Sequence, residues 1–158
     1  MKAKIKLDCQ EDTISLGKII GKLVKAHSLI TLSGDLGAGK TTLTKGIGQG
    51  LGIKRVINSP TLTILKQYQG RLNLSHFDVY RLEGQDDELG FEEIFDSDDV
   101  CVVEWSQFIE NILPHERLEI ILNHEENGRT CIMHPIGQRY EELVKEIINE
   151  NNCNGYIE

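Results

Sequence analysis

The chain has 158 residues, 39% of them hydrophobic and 27% charged, an ordinary composition for one globular domain with a real core. Its net charge of −8 argues against a large nucleic-acid footprint made by this chain alone, but not against a nucleic-acid pathway in which a partner does the touching. No apolar run approaches the ~20 residues that cross a bilayer and no secretory signal is visible, while the cysteines, Cys9, Cys101, Cys131 and Cys153, are too irregularly spaced for a disulfide or zinc framework and read as reduced thiols of a cytoplasmic protein.

In chain order, Ile5 to Leu7 predict a short strand. Asp12-Thr13 supply a helix cap, and Ile14, Leu16, Ile19, Ile20, Leu23 and Val24 recur at helical spacing. Leu29 to Ser33 is a buried strand, and a helix follows from about Lys40 to Gly50. Ser59-Pro60 turns the chain into a strand over 61–68, which pairs through Gln69-Gly70 with a strand over 72–77, so the sheet is expected to be mixed rather than purely parallel. The acidic stretch from Asp86 to Phe95 predicts a short helix broken by Gly90. Val100 to Val103 reads as a central parallel strand, and Ser106 to Ile112 as a helix stopped by Pro114. A hairpin over 118–123 and 129–133 and an amphipathic helix over 141–148 complete a domain of residues 1–150, with a polar, loosely ordered tail over 151–158. The expected fold is α/β: one phosphate-loop NTPase-like domain, its mixed, mostly parallel sheet flanked by helices.

Between the Leu29 strand and the Lys40 helix, Gly34-Asp35-Leu36-Gly37-Ala38-Gly39-Lys40-Thr41 matches G-x-x-x-x-G-K-[ST] in the strand–loop–helix setting the motif requires. Its glycines let successive N–H groups, those of Gly37, Ala38, Gly39, Lys40, Thr41 and Thr42, converge on a phosphate at the positive end of a helix. Lys40 suits the β- and γ-phosphates, and the Thr41 hydroxyl suits Mg²⁺. The metal and the attacking water need a carboxylate from the carboxyl end of a neighbouring strand. Glu104 follows the Val100 run and Asp78 follows the strand ending in Phe77, so with Lys40 they are the catalytic candidates. A solvated strand end for Glu104 and a turn cap for Asp78 are the alternatives. Asp98 and Asp99 precede their strand and fall at its wrong end.

Thr61, stiffened by Pro60, suits either a γ-phosphate sensor or a plain strand start. Trp105 suits the core, an interface or the pocket edge. N-K-x-D is missing, so ATP is favoured over GTP. Its adenine pocket falls to Gln10–Thr13 or to the turn bearing Gly128 and Arg129, provided their preceding strands run parallel to the Leu29 strand.

Taken together, the loop, Ser59-Pro60-Thr61, His76-Phe77-Asp78-Val79-Tyr80-Arg81-Leu82 and Val103-Glu104-Trp105 closely resemble the TsaE (YjeE) family from about Thr13 to Arg129. Leu62, standing where an aromatic follows the third motif's threonine, is a mild departure. The resemblance implies a slow, Mg²⁺-dependent ATPase acting with TsaB and TsaD in N6-threonylcarbamoylation of adenosine 37 in tRNAs reading ANN codons. It also implies that Lys40 grips phosphate, that Thr41 and Glu104 serve Mg²⁺, and that Asp78 and Thr61 belong to the nucleotide-responsive region, with tRNA reached through the partners. The alternatives are a small-molecule kinase, although the arginines form no lid-like cluster, and a nucleotide-dependent switch that does not hydrolyse.

Overall fold

The computed structural model describes residues 1–34, 39–57, 64–80, 90–151 and 155–157. The strands are β1 (Ala3–Leu7), β2 (Ser28–Gly34), β3 (Leu65–Tyr68), β4 (Leu74–Asp78), β5 (Val100–Glu104), β6 (Arg117–Glu125), β7 (Gly128–Ile136) and β8 (Gly155–Ile157). The helices are α1 (Gln10–Leu23), α2 (Lys40–Gly50), α3 (Phe91–Phe95) and α4 (Gln138–Asn151). All the strands join one sheet in the order β3-β4-β5-β2-β6-β7-β1-β8. The middle of it, β4-β5-β2-β6, is parallel, and the pairs outside it are antiparallel.

The expected mixed α/β fold and the β3–β4 hairpin are what the chain forms. Burial follows from position in the sheet: β5 is buried at every residue, whereas β1 alternates buried and exposed. One face of the sheet meets α1, α2 and α4 in the larger core, around Leu16, Ile20, Leu43, Ile47, Val144 and Ile147. On the other face, α3 brings Phe91 and Phe95 against Phe77 and Val103 over the parallel part of the sheet. Among the described residues no helix is long and apolar enough to cross a membrane.

Several local expectations shift. Helix α1 starts before Asp12: its N-cap is Cys9, with no side-chain cap, and the Asp12 carboxylate accepts from the Asp8 N–H at 2.9 Å from inside the first turn. Ser106–Ile112 is a 3₁₀ segment, kinked at Ile109, and Leu113 leaves it in the extended conformation that a following proline imposes. Gly155–Ile157, assigned by composition to a loose tail, pairs with the free side of β1. Asp99, at the far end of β5 from Glu104, accepts the Ser75 hydroxyl at 2.8 Å.

The tightest packing lies between α1 and α2. A Cβ on Gly17 would stand 2.5 Å from the Leu43 carbonyl oxygen, and one on Gly46 the same distance from that of Ile14. One turn on, a Cβ on Gly21 would lie 2.9 Å from the Gly50 Cα. Gly17-x-x-x-Gly21 and Gly46-x-x-x-Gly50 thus let the two backbones touch without side chains between them. The Arg71 guanidinium fastens the end of α1 by donating to the carbonyls of Gly21 (2.8 Å), Lys22 (3.3 Å) and Val24 (2.8 Å).

Gly21→Ala is therefore expected to cost roughly 1–3 kcal/mol net, because the helices must separate although alanine is the better helix former. At Gly48 an added methyl meets the movable end of the Ile57 side chain, so Gly48→Ala is expected to cost well under half as much. Urea midpoints of the two variants check the contrast.

Candidate functional site

The parallel register decides the site. Leu32 of β2 pairs with Glu104 of β5, and Glu104 in turn pairs with Asp78 of β4. Both acids therefore end their strands beside the exit of β2, on the edge where Gly34 leaves the sheet. Gly34 has φ +131 and closes on the Leu122 carbonyl so tightly that no Cβ fits. Chain direction through β6, β7 and β1 brings the start of α1 and the 126–127 turn to this same edge. The parallel-strand condition set for the adenine-side candidates is met.

Gly39 caps α2 in the left-handed region, φ 103 and ψ 20, with no side-chain cap. The first closing bond of the helix runs from Leu43 N–H to the Gly39 carbonyl at 2.8 Å, which leaves the amides of Lys40, Thr41 and Thr42 aimed off the helix end. The Thr44 hydroxyl turns back to the Lys40 carbonyl at 2.9 Å and takes no part in this opening. Gly37, Ala38 and Thr61 lie outside the described residues.

Beside Gly39 stand two buried polar atoms with no hydrogen-bond partner among the described residues, Thr13 Oγ1 and Arg129 Nη1. A Cβ on Gly39 would lie 3.1 Å from Arg129 Nη1 and 3.7 Å from Thr13 Cγ2, so the glycine keeps this corner open. Among the remaining candidates on this side, Gln10 is exposed at the first residue of α1. Gly128, at φ +123, presses on the Leu7 carbonyl, which by itself explains the glycine there.

On the opposite flank Glu104 is buried and its Oε2 lies 2.9 Å from His76 Nε2. Asp78 is half-buried and accepts from the Tyr80 N–H at 3.2 Å. Burial raises the Asp78 carboxyl above its ordinary 3.8, and the nearby Glu104 adds to the rise. The Tyr80 amide, His76 and Lys40 oppose it. Lys40 Nζ sits 5.2 Å from the centre of the Trp105 ring, over its face. Trp105 has φ +62, stacks on Phe108 with centroids 5.9 Å apart, and leans on Tyr80 at 4.9 Å. It packs against the smaller core, as the core reading of this residue expects, and also faces the lysine.

The structure thus brings together Lys40, Asp78 and Glu104, and sets Arg129 and Thr13 beside Gly39. His76 has no role in the sequence reading, although it has a detectable signal: it lies two residues before Asp78 on a strand, hence on the same face. Thr13, read both as a cap and as part of the Gln10–Thr13 stretch on the adenine side, is turned to Gly39 by the α1–α2 crossing.

The family model described as "Threonylcarbamoyl adenosine biosynthesis protein TsaE" matches residues 7–131. The tRNA threonylcarbamoyladenosine biosynthesis protein TsaE of Bacillus subtilis (strain 168) is 45% identical over 144 residues, 90% of this chain and 91% of that protein. Its counterpart in Treponema pallidum (strain Nichols) is 42% identical over 114 residues, 71% of this chain and 84% of that one. The crystal structure of Bacillus subtilis YdiB superposes with a TM-score of 0.85 at 39% identity, covering 96% of this chain and 97% of that chain.

The Asp78 shift has a consequence for stability. An acid whose pKa folding raises adds stability below its unfolded value and loses it as pH climbs through the folded value. Asp78→Asn, which keeps an acceptor for the Tyr80 amide, is therefore expected to melt higher than the parent at pH 7. The advantage should close as the pH falls towards 3.8, and thermal melts across that range check it.

Proposed function

This chain belongs to the TsaE family, and we propose that it serves threonylcarbamoylation of adenosine 37 in tRNA as an ATP-hydrolysing subunit whose conformation is read by the partner proteins TsaB and TsaD. The observation that carries the ATPase reading is the register that sets Asp78 and Glu104 side by side at the strand exit leading to Lys40. A kinase would need an acceptor pocket besides, and nothing in the family comparison supports one.

The residues present fit a nucleotide with Mg²⁺. The open amides of Thr41 and Thr42, the glycine-widened corner and the Arg129 Nη1 and Thr13 Oγ1 atoms, which have no partner among the described residues, together offer donors that a polyphosphate or sugar oxygen would satisfy. Mg²⁺ takes one or two carboxylates plus substrate phosphates rather than an all-protein cage, and Thr41, Glu104 and Asp78 would hold it in that way. Bound there, the ion would neutralise negative charge on the phosphates.

The chain's own residues do the rest. Gly37, Ala38, Gly39, Lys40, Thr41 and Thr42 grip phosphate through the backbone, and the Lys40 ammonium adds a point charge. Trp105 limits the directions that ammonium can take. Glu104, buried and hydrogen-bonded, orients the attacking water or the ion, while Asp78 stands beside it as a second carboxylate. Thr61 would sense the γ-phosphate. Such a site works by positioning and fixed charge, with little covalent chemistry of its own. With a net charge of −8 the chain leaves contact with tRNA to its partners in the cytoplasm.

Phosphate release from ATP, measured with and without TsaB–TsaD, tests the proposal. Stimulation by the partners is expected, and its absence would remove the partner-coupled reading. Lys40→Ala is expected to lose nucleotide binding by at least ~100-fold, and Glu104→Ala to retain binding while losing hydrolysis by a similar factor. Equal turnover in Glu104→Ala and the parent would overturn the role given to Glu104.

A further inference from the structure

His76 lies in the middle of β4 with no exposed surface. It pairs across the ladder with Val102, so its contact with Glu104 is the diagonal one, reaching two residues further along β5 on the same face. A carboxylate only accepts, so the imidazole Nε2 carries the hydrogen and donates it to Glu104 Oε2 at 2.9 Å. The other ring nitrogen, Nδ1, is buried and has no partner among the described residues.

That half-satisfied ring is a poor choice for stability. Its flanking strand residue on the same face, Leu74, is apolar and fully buried, as are Val100 and Val102 on β5. An apolar side chain would fill such a place without leaving a polar atom unpaired, which costs free energy. What an apolar residue would not supply is a donor to Glu104. Among the described residues, His76 is the hydrogen-bond partner found for that carboxylate.

We infer that His76 is a positioning residue for Glu104. Its N–H draws Oε2 back along the sheet and fixes the carboxylate plane, leaving Oε1 to be presented at the strand exit towards Lys40 and Asp78. A carboxylate so held keeps one geometry, whereas a free glutamate at a strand end samples several rotamers. The inference rests on the reading of Glu104 as the hydrolytic carboxylate.

The length of the side chain at position 76 tests it. In His76→Gln the amide nitrogen reaches the place of Nε2 and still donates to Glu104; in His76→Asn the same amide is one methylene shorter and falls near Nδ1. Single-turnover hydrolysis at saturating ATP is compared for both, with the parent and Glu104→Gln alongside. Mg²⁺-free ADP affinity and thermal melts of the full chain supply readouts independent of turnover. His76→Gln is expected within about threefold of the parent, and His76→Asn slower by roughly tenfold or more, with ADP affinity in EDTA within about twofold for both. Equal rates in the two variants, fast or slow, would overturn the positioning role, as would a loss in His76→Asn that appears as weakened ADP affinity in EDTA. Parent-like turnover in Glu104→Gln would instead show that the reading beneath the inference has failed.

Discussion

Where α1 crosses α2, Gly17 and Gly21 of one helix meet Gly46 and Gly50 of the other with nothing but backbone between them. Much of the site's geometry follows from that contact. It holds α2, and hence Lys40 at its first residue, at a set height over the sheet. It also turns Thr13, one helical turn before Gly17, towards Gly39. A pair of ordinary side chains at the crossing would lift α1 away and open the corner that Thr13, Gly39 and Arg129 form. Close backbone packing is unforgiving because carbonyl oxygens and Cα atoms cannot rotate aside as side chains do.

The other half of the site is made by the sheet. Three parallel strands end in step, so Gly34, Glu104 and Asp78 reach one edge together. The arrangement is costly on its own terms. It places two carboxylates next to each other, buries one and half-buries the other, and raises the Asp78 carboxyl. It also leaves buried polar atoms on Thr13, His76 and Arg129 without partners among the described residues. Perturbed and unsatisfied groups cluster at functional sites in proteins generally, and here they contrast with the two apolar cores.

The legible parts of the chain were those governed by local pattern. The apolar run Val100–Val103 is too continuous for a half-exposed strand and forms the buried β5, with its acid at the end. The phosphate-loop motif placed a helix start at Lys40, where α2 begins. The α1 start was misplaced because Asp12 is the stronger capping residue by type, yet its carboxylate reaches back to the Asp8 amide and Cys9 takes the cap position. The Ser106–Ile112 segment has helical composition but lies between the left-handed Trp105 and Pro114, a span too constrained for a full α-helical run.

By itself, then, the order of residues determined the phosphate-loop motif, the acids, the strands that carry them and the likeness to a family, because each is written in spacing and residue type. Tertiary structure alone decided three things. It paired Asp78 with Glu104, since strand register depends on which strands become neighbours. It gave Glu104 a histidine, since a diagonal contact exists only between paired strands. It brought Thr13 and Arg129, far apart in the chain, together beside Gly39, since that meeting requires α1 to lie against α2 and β7 to return beside β1. Such contacts join residues that no local periodicity relates, and they form only when the sheet and its helices close on a common core.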